Sequence, residues 1–205
     1  MHRKTLIPSA GEAGCDEAGR GALAGPVVAA AVVLPEGYSH PALDDSKKLS
    51  ATRRQELRCL IEQQALSFGI GVADVDEINR LNIWKATLLA MHRALAALAT
   101  PVAWILVDGN RFAPFGNVPH RCIIRGDATH TSVAAASVLA KTYRDALMIQ
   151  LHEQFPEYNW KQNKGYGTRE HALRIACYGS CAQHRSLFVR RMVSDAGKQQ
   201  RMAWP

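Results

Sequence analysis

The sequence predicts an α/β domain of about five strands interleaved with helices. Short apolar runs rich in β-branched residues, at 27–34 and 102–107, have the length of buried strands. Between and after such runs, residues 82–99 and 131–152 carry apolar side chains at helical spacing. The 205 residues show no linker-like cluster, repeat or low-complexity tract, so one core with at most a small appendage is expected.

In chain order, residues 11–16 read as a first strand that runs into Asp16-Glu17 and the loop Gly19-Arg20-Gly21. A second strand covers 25–34 and closes at the turn Pro35-Glu36-Gly37. The loop formally fits the dinucleotide fingerprint G-x-G-x-x-G/A through Ala24, with Asp44 and Asp45 about 20 residues on. That fingerprint needs a helix after its glycines and an apolar strand before them. Here Pro26 and the valine-rich run predict strand, and an Asp-Glu pair precedes the loop. An ordinary hairpin would explain the glycines but leaves Asp16, Glu17 and Arg20 without a purpose.

Leu49-Ser50 leads into a helix, with Thr52 and Gln55 at capping-box spacing and Leu57, Leu60 and Ile61 on one face. Ser46, Lys47 and Lys48 at its entry have the donors and charge to hold a phosphate, although on spacing alone solvated lysines are the simpler account. A third strand spans 68–73, and a helical region begins at Asp76-Glu77. Ile83, Leu88, Met91, Leu95 and Leu98 give the next helix a core face, and Pro101 ends it. The fourth strand, 102–107, stops at Asp108-Gly109-Asn110, and a fifth, 121–125, stops at Gly126-Asp127. A long helix follows over 131–152, alanine-rich in its first half. Lys164-Gly165-Tyr166-Gly167-Thr168 opens a further helix and sets a tyrosine between two glycines, placed either to offer its ring to a ligand or to pack on the local surface. Cys177, Cys181 and His184 are spaced loosely like metal ligands, but with no evident fourth ligand, buried or incidental thiols explain them better.

Composition narrows the function classes. At 47% hydrophobic and 21% charged residues the chain is of ordinary globular type. No apolar run reaches membrane-span length and residues 1–13 lack a signal-peptide core. With five cysteines, an odd number, this predicts a cytoplasmic protein with free thiols. The net charge of +7 is concentrated from Lys161 onward, where nine Lys or Arg face two Asp or Glu. A neutral body with a basic C-terminal region suits a polyanion held by one part and processed by another; a solvated basic tail is the plainer alternative.

Asp16, Asp108 and Asp127 each stand where a predicted strand stops, and in open α/β sheets ligands gather at that edge. Any one of them is explained by turn or helix capping. Three at equivalent places, with Glu17 beside one, are not. Carboxylates are the ligands that hard cations prefer, and a pair of Mg²⁺ ions about 4 Å apart supplies what phosphodiester hydrolysis needs. On an ideal strand Asp16 and Glu17 point to opposite faces, so they reach one site only if the strand breaks there. Ala18-Gly19 is the place for that break.

The run from Asp16 to Gly21, continuing through Leu23-Ala24-Gly25-Pro26-Val27-Val28, resembles the signature of the type 2 ribonucleases H, and specifically bacterial ribonuclease HII. The likeness extends through Asp45-Ser46-Lys47-Lys48, Asp76-Glu77-Ile78-Asn79, Val107-Asp108-Gly109-Asn110, Gly126-Asp127-Ala128, Arg144-Asp145, Lys164 to Thr168, and His184-Arg185. It implies the ribonuclease H-like fold, a mixed central sheet of about five strands flanked by helices, with a C-terminal helical part. Taken with the charge distribution, this divides the chain into a catalytic domain over 1–160 and, over 161–205, a basic helical region expected to clamp substrate. Asp16, Glu17, Asp108 and Asp127 are the implied catalytic residues and ligands of two Mg²⁺ or Mn²⁺ ions. Gly19, Arg20, Gly21, Ser46, Lys47, Tyr166, His184 and Arg185 are the implied substrate-binding residues. The implied activity is that of a monomeric endoribonuclease acting on RNA–DNA hybrids and on ribonucleotide-containing duplex DNA. It would cut 5′ to the ribonucleotide and leave a 3′-hydroxyl and a 5′-phosphate. Two departures stand out: Leu187 separates Ser186 from Phe188, so Ser186 is given no role, and Thr129-His130-Thr131 after Asp127-Ala128 is unusual for the family.

Overall fold

The computed structural model describes Leu6 and residues 9–43 and 50–192. Its strands are β1 (Glu12–Ala18), β2 (Val27–Val33), β3 (Ser67–Ala73), β4 (Trp104–Asp108) and β5 (His120–Ile123). They form one mixed sheet in the order β3-β2-β1-β4-β5. The first three pair antiparallel, whereas β4 runs parallel to β1 and β5 parallel to β4. Each predicted strand is present with ends shifted by no more than two residues. The segment after the glycine loop is β2, and this excludes the helix that a dinucleotide fingerprint requires.

The helices are α1 (Ala51–Gln64), α2 (Val75–Leu81), α3 (Ile83–Ala96), α4 (Thr131–Gln154), α5 (Trp160–Asn163) and α6 (Arg169–Tyr178). Helices α2 and α3 cover one face of the sheet over Cys15, Ala29, Ala31 and Val107. Helices α1 and α4 cover the other over Ala30, Val32 and Leu34. The layers lie close because small residues face them. A Cβ on Gly14 would fall 2.1 Å from the Ser132 carbonyl carbon of α4, and one on Gly71 would fall 1.9 Å from the Ala90 carbonyl oxygen of α3. Among the described residues, no helix is long and apolar enough to cross a membrane.

Helix starts follow side-chain chemistry. Ser50 caps α1 by accepting the Arg53 amide at 3.2 Å, so the helix begins ahead of the expected Thr52–Gln55 box. Asp74 and Glu77 form the reciprocal capping box at α2. Asn82, at φ 72°, accepts the Trp84 and Lys85 amides and turns α2 into α3. The start of α4 is fixed differently. Leu6 donates to the Thr129 carbonyl and accepts from the Thr131 amide, while Ser132 hydrogen-bonds the buried Glu12 of β1. This locks the turn that carries Asp127 beside the central strand.

A third apolar cluster joins Leu23, Met148, Tyr158, Trp160 and Ile175. The C-terminal elements, α5, α6 and the helical residues 186–192, therefore pack on the loop after β1 and on the second half of α4. The edge of the sheet and the C-terminal part meet at that loop.

Candidate active site

The acidic residues collect where β1 and β4 end side by side. Their parallel pairing stops at Cys15 opposite Val107, one residue before Asp16 and Asp108. Asp108 is the last residue of β4, and its Oδ1 accepts the Gly126 amide at 2.7 Å. That bond ties it to the 3-10 turn Gly126–Ala128, in which Asp127 is buried. The strand ends at Ala18 and gives way to Gly19 at φ +91°, so the break falls at Ala18-Gly19, after both carboxylates. The strand stays paired with β2 through Ala18, so Asp16 and Glu17 do face opposite sides. Asp16 turns toward α4, where Ser137 donates to it, and its Oδ1 also accepts the Glu17 amide at 2.7 Å. Glu17 lines a cleft against α3 together with Arg20, Trp84, Asp108, Asn110 and Arg111. Asp16 and Glu17 both lie near enough to Asp108 to feel its charge, one from each face of the sheet.

These acids perturb one another. Burial raises the Asp16 carboxyl well above its ordinary value, followed by repulsion from Glu17 and then from Asp108. Burial likewise raises Glu17; Arg20, 3.6 Å away, opposes that rise and Asp108 adds to it. Arg20 is half exposed, so this ion pair is weak compensation. A buried, mutually repelling set of carboxylate oxygens has the donor chemistry of a hard divalent cation's site, and Mg²⁺ or Mn²⁺ fits it. Among the described residues, no three His, Cys, Asp or Glu side chains yet converge on one point. A larger cavity of about 600 Å³, lined by His40, Arg53, Glu56 and Leu60, holds none of the predicted site residues that lie among the described ones.

Beside the acids lies the glycine loop. Gly19 has φ +91°, and a Cβ there would fall 1.8 Å from Arg144 Nε, so only glycine fits. Arg20 and Gly21 are exposed. The loop is joined to the Tyr166 loop by the Leu23 and Ala24 amides, which donate to the Gly165 carbonyl at 2.8 and 3.2 Å. Tyr166 is half-buried, with Arg144 Cζ 5.2 Å and Lys141 Nζ 5.6 Å from its ring centroid. The structure thus brings Gly19, Arg20, Gly21 and Tyr166 together next to Asp16 and Glu17. Ser46 and Lys47 lie outside the described residues.

His184 and Arg185 stand differently from the expectation that they face a ligand. Both are buried, and Arg185 spends its guanidinium on the Arg20, Gly25 and Pro26 carbonyls at 3.0–3.1 Å. Burial, then the nearby Arg144 charge, lowers Arg185 to about 9. His171 Nδ1 is 2.9 Å from the Tyr166 carbonyl and must donate to it; its Nε2 accepts from Trp160 Nε1 at 3.0 Å. His184 Nε2, 3.2 Å away, therefore donates to that same nitrogen, and its Nδ1 accepts the Cys181 amide at 3.0 Å. Both imidazoles are neutral in this arrangement; burial, then His171, holds His184 down at about 4. These residues support the loops from beneath.

Sequence reasoning singled out neither Arg144 as a site residue nor the Trp84–Arg111 pair at the cleft, whose guanidinium lies 5.3 Å from the indole centroid. Arg144 carried a usable signal: it sits four residues from Ala140 and four from Met148, on the buried stripe of α4.

A family model described as Ribonuclease HII matches residues 13–192. A curated protein of Christiangramia forsetii named Ribonuclease HII is 53% identical over 176 residues, covering 86% of this chain and 89% of its own. The crystal structure of ribonuclease H2 from Pyrococcus horikoshii superposes with a TM-score of 0.68 at 23% identity, covering 88% of this chain and 95% of that one. Bst-RNase HIII in complex with Mn²⁺ gives a TM-score of 0.68 at 20% identity, covering 94% and 72%. At those identities the two solved structures show likeness of fold, which is ribonuclease H-like.

Proposed function

The chain belongs to the ribonuclease HII family and is a ribonuclease H-type endonuclease of RNA–DNA hybrids; within that activity we propose that it also cuts 5′ to single ribonucleotides in duplex DNA, leaving a 3′-hydroxyl and a 5′-phosphate. The observation that carries this is the joining of the exposed Gly-Arg-Gly loop to the Tyr166 loop, directly beside Asp16 and Glu17.

Asp16, Glu17, Asp108 and Asp127 would hold two Mg²⁺ or Mn²⁺ ions, and the Mn²⁺ in the structure of Bst-RNase HIII supports that choice. Such a pair supplies an activated water and neutralises charge at phosphorus. The chain's own residues position the substrate. Arg20, paired with Glu17 yet half exposed, offers a cation to the phosphate backbone. The loop amides and Tyr166 read the sugar, since the 2′-hydroxyl alone separates a ribose from a deoxyribose. Ser46 and Lys47 remain proposed phosphate contacts, and His184 and Arg185 act by holding the loops. The five cysteines are all unpaired, as a reducing cytoplasm would leave them.

The test is one assay. Duplex DNA with a single embedded ribonucleotide should be nicked on its 5′ side with Mg²⁺ or Mn²⁺ and left intact in EDTA. A folded enzyme that cuts only continuous hybrids would limit the function to the coarser activity.

Residues 161–205 are proposed to clamp the duplex. Replacing exposed Lys161, Arg169 and Arg190 with glutamine should weaken binding and reduce the slope of log affinity against log salt by about 0.9 for each phosphate that is no longer neutralised. The single-turnover rate on bound substrate should change little. An unchanged slope would make this charge a bystander.

A further inference from the structure

Arg144 and Arg185 are both 0% exposed, and among the described residues neither pairs with a carboxylate. Burying a guanidinium without a counter-charge costs several kcal/mol unless its donors are satisfied. Here main-chain carbonyls satisfy them. Arg185 donates to the carbonyls of Arg20, Gly25 and Pro26, and Arg144 to those of Ala24, Pro26 and Lys164, at 2.9–3.2 Å. Two planar forks thus gather the carbonyls of the glycine loop from beneath, together with one from the Tyr166 loop.

Peptide planarity converts this into a statement about the outer surface. The structure has no cis bonds, so the C=O and N–H of each peptide point in opposite directions. The Arg20 carbonyl points inward at Arg185 Nη1, 3.1 Å away, which turns the Gly21 N–H outward. Among the described residues that amide has no acceptor. Gly21 is exposed, and a Cβ there would meet nothing within 4 Å, so a ligand has room to reach the amide.

We infer that Arg185, with Arg144 beside it, is a positioning residue that aims the Gly21 amide at the ribose 2′-oxygen of the bound ribonucleotide. The inference rests on the proposed action at embedded ribonucleotides. A deoxyribose leaves that donor unpaired, and a site built around a hydroxyl rejects the analogue lacking it. The two buried positive charges also raise the potential under the loop, favouring phosphate without any side-chain contact.

The test separates fork geometry from charge. Arg185→Lys keeps the charge but cannot hold three carbonyls. It should bind an all-DNA duplex within about twofold of wild type, with the same salt slope. In EDTA it should lose its preference for the ribonucleotide-containing duplex, and with Mg²⁺ its kcat/KM on that duplex should fall about a hundredfold. A merely structural role would lower the melting temperature and affect both duplexes alike. Because Arg185→Lys can fail to fold, amide exchange of wild-type Gly21 in EDTA gives a second readout. The ribonucleotide-containing duplex should protect it and the all-DNA duplex should not. Wild-type preference in Arg185→Lys, or equal protection of Gly21 by both duplexes, would overturn the role of Arg185 while leaving the proposed function standing. A wild-type enzyme that leaves the ribonucleotide-containing duplex uncut would overturn the functional proposal, and this inference with it.

Discussion

Asp108→Asn is expected to abolish cleavage of both a hybrid and a single-ribonucleotide duplex, by about a thousandfold or more, while leaving the fold intact. The substitution preserves shape and the Oδ1 acceptor for the Gly126 amide, and removes one negative charge from the cation site. Losing about 4 kcal/mol of charge stabilisation at the transition state corresponds to that thousandfold. The same charge repels Asp16 and Glu17 in the metal-free protein. Both have raised folded-state pKa values, so each binds its proton more tightly folded than unfolded. Their cost to stability is absent at low pH, where all are protonated, and grows as pH rises above the ordinary carboxylate range. In EDTA at neutral pH the variant should therefore melt higher, by about 2–4 °C if one kcal/mol of repulsion is relieved. The gain should vanish near pH 3. Added Mg²⁺ should raise the wild-type melting temperature more than the variant's. A fully active, correctly folded Asp108→Asn enzyme would remove this carboxylate from the mechanism.

The strands and the acidic edge were legible because they rest on local signals: β-branched runs, and an acid where each run stops. The alternation rule also placed Asp16 and Glu17 on opposite faces correctly. The strand does stop at Ala18-Gly19, but the two carboxylates before that stop stay in register with β2 and so keep to opposite faces. The part that was illegible is long-range. Arg185 is implied as a substrate contact by the resemblance of His184-Arg185 to the family, yet it is fully buried. Its cage comes from carbonyls 159–165 residues away in sequence, which no local pattern announces. Ser50 was overlooked as a cap for a smaller reason. Its partner at the third helical position is Arg53, so the reciprocal Glu or Gln of a capping box is missing, while Thr52 and Gln55 mimic one.

Tyr166→Ala is expected to lower kcat/KM on a single embedded ribonucleotide by about a hundredfold, while duplex affinity stays within about threefold. The loop's backbone does not depend on the ring. The Tyr166 amide donates to the Asn163 carbonyl at 2.9 Å, and its own carbonyl accepts from the Thr168 amide and from His171 Nδ1. Deleting the ring should leave Gly165 bonded to Leu23 and Ala24, so the platform survives. The variant gives up a flat apolar surface beside the Gly-Arg-Gly loop, placed to pack on the deoxyribose next to the ribonucleotide, where an extra hydroxyl fits badly. Ring packing against a nucleotide contributes about 1–3 kcal/mol, and the upper half of that range gives the hundredfold. Duplex affinity draws mainly on phosphate contacts and is largely independent of one ring. Tyr166→Phe, which keeps the ring and removes only the hydroxyl, should retain most of the rate. Continuous hybrid, which offers ribose on both sides of the cut, should suffer less from Tyr166→Ala than the single-ribonucleotide duplex. A Tyr166→Ala enzyme that nicks the single-ribonucleotide duplex at the wild-type rate would show that the junction is read elsewhere.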